Sequence, residues 1–268
     1  MQWERTNFRG IGNYFLLNNL LLFFIFVKHL STYSMHPSPS TCQQCAQRFN
    51  SVFCKAREEH VEVINDKKVC NIYKKGQLLF NEGAYPFGVF CINDGKVKLS
   101  HQGDDGKEQI IRLLKAGDVL GYRALLSGDR YSASAIALED TQVCFIPKDV
   151  FINVLQHDAG MAFEMMKVLS DELHRSEIKL THLAQKPIRE RLAETLLFIK
   201  ETYGFEADGI TLAVKLSREE IANLVGTATE STIRLLSEFK KDGMIELDGK
   251  KIQILKPKQL LATANLQD

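Results

Sequence analysis

Three cysteines crowd into one short stretch: Cys42, Cys45 and Cys54. Thiolates bind soft and borderline metals and exchange disulfides. In a chain this long, such crowding points to metal or redox chemistry in a reducing compartment. Three chemistries fit these residues. Cys42, Cys45 and Cys54 bind zinc if a fourth ligand such as His60 joins them. Cys42 and Cys45 form a redox dithiol. Or the thiols are inert. Cys70, Cys91 and Cys144 read as structural, because a small thiol on a barrel strand is usually core packing.

A second chemistry lies near the C-terminus. Glu230 and Arg234 are four apart in a helical run, so they share a face. A guanidinium can grip guanine with two hydrogen bonds, and a carboxylate can accept from the cytosine amino group. The pair can therefore address one G·C base pair. The bland alternatives are a solvated i,i+4 ion pair, or for Glu230 a capping box with Thr227. Thr229 and Ile233 share the outward face, and Ile233 suits a thymine methyl. Ser217, Arg218, Lys250 and Lys251 suit phosphate contacts.

Specific elements must position these side chains. Ser217-Arg218-Glu219-Glu220 has the capping-box pattern and opens a short helix with Ile221, Leu224 and Val225 inward. Gly226 supplies a tight turn. A second helix begins at Thr227–Glu230, with Leu235, Leu236 and Phe239 inward. This is a helix-turn-helix, whose second helix belongs in the major groove. A turn at Asp248-Gly249, between Met244–Leu247 and Lys251–Leu255, makes a hairpin wing.

Upstream, residues 69–155 alternate short apolar runs with glycine turns, notably Asn93-Asp94-Gly95 and Asp104-Asp105-Gly106. That texture predicts a β-barrel or jelly-roll of about eight strands. Helical periodicity then takes over. Ala162, Met166, Leu169, Leu173, Ser176, Leu180 and Leu183 recur at steps of four and three, a heptad seam over residues 156–186. A seam this long and narrow favours a parallel homodimer over packing on its own barrel, with Met166, Leu169, Leu173, Leu180 and Leu183 at the interface. Pro187 breaks the helix and makes a hinge. Residues 187–262 form the DNA-binding domain, opened by a helix with Ile188, Leu192, Leu196, Ile199 and Tyr203 on one face and Gly204 to stop it. The architecture is α+β.

A formal net charge of +1 gives no bulk attraction to nucleic acid, so local pattern carries the DNA argument. No nucleophile elbow, phosphate-gripping glycine loop or His-rich metal motif is present, and the chain is not expected to be an enzyme. Residues 14–27 are apolar apart from Asn18 and Asn19, too short a run to span a bilayer comfortably. We expect Met35 to be the true start and residues 1–34 an upstream extension; the alternative is an interfacial anchor on a membrane-bound sensor. Residues 35–68 form the Cys-containing segment. The expected compartment is the cytoplasm.

On these residues the chain resembles the CRP/FNR family of bacterial regulators. The stretch LSREEIANLVGTATESTIRLLSEFKKDGMIELDGKKIQIL resembles the family's DNA-binding motif, while AGDVLGYRALLSG and ALEDTQVCFIP resemble its cyclic-nucleotide-binding β-roll. The resemblance runs from about Cys42 to the C-terminus. It implies a homodimer, an inverted-repeat site on double-stranded DNA and contact with RNA polymerase. Glu230 and Arg234 match the family residues that read G·C in a half-site with a TGA core. Thr229 stands where the cyclic-AMP branch has another base-reading arginine, which points toward the FNR-like branch. Tyr122 and Tyr131 stand where that branch needs a Glu and an Arg, with Arg123 and Arg130 expected to point elsewhere. Cyclic AMP binding is therefore not expected. The FNR-like branch implies a [4Fe-4S] cluster on Cys42, Cys45, Cys54 and Cys144, although the Cys45–Cys54 gap is longer than in the best-known oxygen sensors. A small organic ligand or haem in the β-roll is the alternative effector.

Overall fold

The computed structural model describes residues 41–103 and 106–266. The apolar run 14–27, the expected start at Met35 and the turn residues Asp104 and Asp105 lie outside the described residues. After a 3-10 turn at Ala46–Asn50 and helix α1 (Glu58–Lys67), the chain enters the β-roll. Its strands are β1 (Val69–Tyr73), β2 (Leu78–Phe80), β3 (Gly88–Asp94), β4 (Lys96–Gln102), β5 (Glu108–Lys115), β6 (Val119–Leu120), β7 (Ser134–Ala137) and β8 (Thr141–Pro147), with the short helix α2 (Tyr122–Ser127) between β6 and β7. They form two four-stranded sheets, ordered β1-β8-β3-β6 and β2-β7-β4-β5.

Strand β3 shows how sequence becomes layer. Phe90 and Ile92 point to the core between the sheets, with Val97, Leu114, Leu120 and Val143. Val89 points the other way, against Ile146 and the helices outside. Alternate residues of a strand face opposite sides. Both sides of β3 are covered, so its apolar run is continuous rather than alternating.

Helix α3 (Lys148–His157) leads into the long helix α4 (Ala159–Gln185). Asp158 separates them as the N-cap of α4, its Oδ1 accepting from the Met161 N–H at 3.0 Å. Its Oδ2 accepts from the Arg57 N–H and meets His60 Nδ1, each at 2.8 Å. Burial alone would push the carboxyl up. The Arg57 N–H, His60 and Met161 N–H outweigh it and hold the pKa at about 2. The folded value lies below the unfolded one, so this stabilisation is present above pH 4 and is lost as pH falls through 2. At 1.36 kcal/mol per unit it amounts to about 1–2 kcal/mol after discounting for partly solvated Arg57. Acid unfolding followed by circular dichroism should be less steep between pH 4 and 2 in Asp158→Asn than in wild type. Parallel curves would remove Asp158 as the cause.

Helix α4 has two faces. Met161 and Met165 are buried against the β-roll and α3. Met166, Leu169, Leu173, Leu180 and Leu183 are exposed in the single chain. Lys186 and Pro187 end the helix. Next come α5 (Ile188–Tyr203), α6 (Arg218–Val225), α7 (Thr229–Lys241), the hairpin β9 (Ile245–Asp248) and β10 (Lys251–Ile254), and α8 (Pro257–Thr263). No described helix is long and apolar enough to cross a membrane.

Candidate nucleic-acid interface

The capping box forms as its residues dictate. Ser217 Oγ accepts from the Glu220 N–H at 3.0 Å, and Glu220 Oε2 accepts from the Ser217 N–H at 2.8 Å. Ile221, Leu224 and Val225 of α6 are buried, as are Leu235, Leu236 and Phe239 of α7. Gly226 joins the helices in a left-handed conformation, φ 72°. It is also a close-approach site, since a Cβ there would come within 3.1 Å of Leu183 Cδ2. The left-handed backbone is what requires glycine; the exposed Leu183 side chain would have to give by a few tenths of an ångström.

Thr229, Glu230, Ile233 and Arg234 occupy the opposite side of α7. Glu230, Ile233 and Arg234 are exposed and Thr229 is half-buried. The i,i+4 ion pair weighed for Glu230 and Arg234 falls elsewhere. Arg234 Nη1 reaches forward to Glu238 Oε1 at 2.9 Å, and Glu238 also takes Arg189 at 2.8 Å. Nor does Glu230 cap its own helix, whose N-cap is Ala228 with no side-chain bond. Its carboxylate sits in the first turn, where the helix dipole favours it.

Three expected phosphate contacts carry internal partners. Lys251 Nζ pairs with Glu206 at 2.9 Å, which raises its pKa. Arg218 Nη2 donates to the Gly249 carbonyl at 3.0 Å, tying the start of α6 to the wing turn. Ser217 Oγ accepts from the Glu220 N–H in the cap, and its O–H can still donate to a phosphate. Lys250 is exposed at the tip of the wing.

The head also leans on the β-roll, which sequence reasoning missed. Buried Lys98 of β4 reaches Glu108 of β5 at 2.9 Å and Glu220 of the capping box at 3.3 Å. Asn223 of α6 donates to Glu108 at 3.2 Å, and Gln109 donates to the Asn223 carbonyl. One apolar core joins Ile110 and Leu113 of β5 to Leu192, Leu224 and Leu236 of the head. Lys98 sits on the outer face of β4, between the core-facing Val97 and Leu99, and is buried there by the C-terminal domain. A lysine between two apolar residues was the available signal, but it names no partner.

In the β-roll, Tyr122 and Tyr131 line one pocket with Phe80, Leu99, Arg112 and Arg123. Tyr131 stacks on Phe80, ring centroids 3.9 Å apart. The Tyr122 hydroxyl donates to Glu172 of α4, and Arg112 pairs with the same carboxylate. Burial raises the pKa of the Tyr122 hydroxyl, and that of Tyr131 to about 12. Arg130 points away as expected, over the Tyr85 ring at 4.1 Å. Arg123 does not. It lines the pocket and donates to Ser132 Oγ at 3.1 Å. The reason is local: residues 122–127 are helical, so strand alternation does not set their directions.

The cysteines are grouped differently from the expected quartet. Cys144 forms a disulfide with Cys70. Strands β1 and β8 pair antiparallel with these two residues directly opposite. Cys42 and Cys45 lie near Cys91, whose thiol is raised by burial and by those two neighbours. The thiol of Cys45 donates to Asn93 Oδ1 at 3.3 Å, and Lys68 Nζ donates to Cys42 Sγ at 3.2 Å. Among the described residues, no three His, Cys, Asp or Glu side chains are placed to hold a metal. With Cys144 bonded to Cys70, the set Cys42, Cys45, Cys54 and Cys144 does not fit a cluster in this arrangement. His60, the candidate zinc ligand, has both ring nitrogens engaged, by Asp158 and Arg57.

Comparison with known proteins bears on both halves. Residues 71–158 match the family described as Cyclic nucleotide-binding domain, and residues 190–263 the Crp-like helix-turn-helix domain. The chain is 32% identical over 198 residues to the transcriptional activator protein anr of Pseudomonas aeruginosa, covering 72% of this chain and 80% of that one. It is 30% identical over 177 residues to the anaerobic regulatory protein of Bacillus subtilis, covering 65% and 74% respectively. Among solved structures, FixK2 from Bradyrhizobium japonicum shares the fold with a TM-score of 0.67 at 23% identity, over 75% of this chain and 99% of that one. TTHA1359 of Thermus thermophilus does so at 0.64 and 24% identity, over 75% and 100%.

Proposed function

The chain belongs to the CRP/FNR family and is a DNA-binding transcription regulator, not an enzyme; from that premise we propose that two copies pair along α4 and read an inverted repeat on double-stranded DNA. The observation that carries this is the exposed seam of Met166, Leu169, Leu173, Leu180 and Leu183, next to a helix that offers Glu230 and Arg234 to solvent. Apolar residues at heptad spacing need a partner, and a second identical helix supplies the matching surface.

Each protomer then places α7 in a major groove. Arg234 grips a guanine, Glu230 takes the paired cytosine and Ile233 meets a thymine methyl, with Thr229 beside them. Ser217, Arg218, Lys250 and Lys251 flank the phosphates. Two-fold symmetry of the protein demands two-fold symmetry of the site, in half-sites one helical turn or a multiple apart. Contact with RNA polymerase follows from the family, and the cytoplasm is the compartment where such a regulator meets DNA.

The proposed signal is oxygen or redox state, sensed at the cysteines. Similarity to a protein named anaerobic regulatory protein supports this. A [4Fe-4S] cluster on Cys42, Cys45, Cys54 and Cys144 is one form of it; those four residues could hold it only after a dithiol reductant had supplied two electrons and two protons to the Cys70–Cys144 bond. A bound cluster would supply oxygen-sensitive iron–sulfur bonds. Tyr122 and Tyr131 stand where the cyclic-AMP branch has a Glu and an Arg, which argues against cyclic AMP as the effector, whereas Arg112 and Arg123 bring guanidinium groups to the same pocket. A small organic ligand or haem in the pocket of Tyr122 and Tyr131 is the second reading, favoured by the link from that pocket to Glu172 of α4.

Sedimentation with footprinting tests the main reading. The wild-type protein should run as a dimer and protect two half-sites symmetrically. A monomer protecting a single half-site overturns it. An iron–sulfide absorption band in protein purified without oxygen, lost in air, separates the cluster from the organic effector.

A further inference from the structure

Three cysteines stand in one row across a sheet. In the register of β1, β8 and β3, Cys144 is directly opposite Cys70 on one side and directly opposite Cys91 on the other. Residues paired this way point to the same face, with Cβ atoms about 4.5–5.5 Å apart. A disulfide needs a Cβ separation of about 3.5–4.5 Å, so a small adjustment bridges either pair. Cys144 is bonded to Cys70, and Cys91 is a free thiol.

The face they share is the outer one, away from the inter-sheet core that Phe90 and Ile92 fill. It also carries Asn93 and Gln142, joined by a hydrogen bond of 2.9 Å, and Asn93 takes the thiol of Cys45. The N-terminal segment with Cys42 and Cys45 therefore lies close to the row. Cys70, Cys91 and Cys144 are all half-buried, but the Cys91 thiol itself is desolvated, so its thiolate forms sparingly and attack by Cys91 is slow.

We propose that Cys144 is the shared sulfur of a thiol–disulfide exchange site, with Cys70 and Cys91 as alternative partners and a dithiol or a disulfide compound as the outside reagent. In the internal step, Cys91 gives its proton to solvent and its sulfur attacks Cys144 Sγ. The Cys91–Cys144 bond forms as the Cys70–Cys144 bond breaks. Cys70 leaves as a thiolate and takes up a proton, so no electrons enter or leave the protein. With an outside dithiol, two electrons and two protons pass to Cys70 and Cys144, and the reagent leaves as its own disulfide.

The consequence is a movable cross-link. Bonded to Cys70, it ties edge strand β1 to β8; bonded to Cys91, it ties β8 to β3 and leaves β1 held by its ladder alone. Strand β1 follows α1, which packs on α3, and α3 leads through Asp158 into α4. The site thus lies at the start of the path to the seam. The proposal stands apart from the DNA-reading assignment, and its failure leaves that assignment intact.

The test is differential alkylation of the full chain with iodoacetamide, read by peptide mass spectrometry before and after dithiothreitol. In wild type, Cys70 and Cys144 should label only after reduction, while Cys91 labels without it, slowly, because its thiol is desolvated. In Cys70→Ser treated with oxidised glutathione, label should be lost at Cys91 and Cys144 together, with a cross-linked peptide joining them. Cys91→Ser keeps the test open should Cys70→Ser not fold: its Cys70–Cys144 bond should persist, and no rearranged cross-link should form on partial reduction. Free labelling of both Cys70 and Cys144 in unreduced, oxidant-treated protein overturns the proposal. So does iron-loaded protein in which Cys70 labels freely and Cys144 is protected by the metal.

Discussion

A chain carrying Leu173→Glu and Leu180→Glu should sediment as a monomer and lose its operator. Leu173 is 63% exposed and Leu180 70% exposed in the single chain, so neither holds the protomer together. A pairing helix would bury both. Burying a leucine contributes about 1.5–3 kcal/mol, and a dimer buries four of these, so the loss is about 6–12 kcal/mol. That range corresponds to a dimer dissociation constant raised by at least about four orders of magnitude. Four carboxylates forced into one seam repel each other and add to the loss. DNA binding falls with it, since a single head meets only one half-site. Far-ultraviolet circular dichroism should remain that of a folded chain, which separates lost pairing from lost folding. An unchanged mass would place the dimer interface on another surface.

Replacing Arg234 by alanine should abolish recognition while leaving the fold and the dimer intact. One bidentate contact to guanine contributes about 1–3 kcal/mol of discrimination. A symmetric complex makes it twice, so the total is about 2–6 kcal/mol, from roughly 30-fold to above 10⁴-fold in affinity. To reach the base, Arg234 must leave Glu238, an exposed pair that contributes little. Glu238 keeps Arg189 when it does. The salt dependence of binding distinguishes this role from a phosphate contact. Loss of base readings weakens the specific site and leaves the salt slope nearly unchanged, whereas loss of a phosphate contact weakens all sequences and lowers the slope. Uniform weakening with a shallower slope would reassign Arg234 to the backbone.

The clamp between the head and the β-roll bears on both results. Lys98 is held between Glu108 and Glu220, and Glu220 also caps the helix that precedes the reading helix. The pocket of Tyr122 touches α4 through Glu172. Charged side chains thus tie the β-roll to the C-terminal domain at Lys98 and to α4 at Glu172.

Much of this was legible in the residues because it depends on short-range rules. The capping box at Ser217, the turn at Gly226, the stop at Gly204 and the break at Pro187 depend on neighbours a few positions away. The inward faces of α6 and α7 follow from a period of 3.6 residues, and the seam on α4 from the heptad. Those same rules place Glu230 and Arg234 on one outward face.

What the sequence by itself determined, then, is the order of elements and the helix faces, including the outward placing of Glu230 and Arg234. Only the tertiary structure decided which distant side chains meet. Strand register set Cys144 opposite both Cys70 and Cys91, and a slip of one residue would have turned every side chain to the other face. Helical backbone at α2 turned Arg123 into the pocket. Packing brought Glu172 to Tyr122 and Arg112, and Glu220 to Lys98. The physical reason is the range of the forces that choose. Periodicity and capping act within one or two turns of chain, whereas these pairings arise only when separate elements compete for the same core.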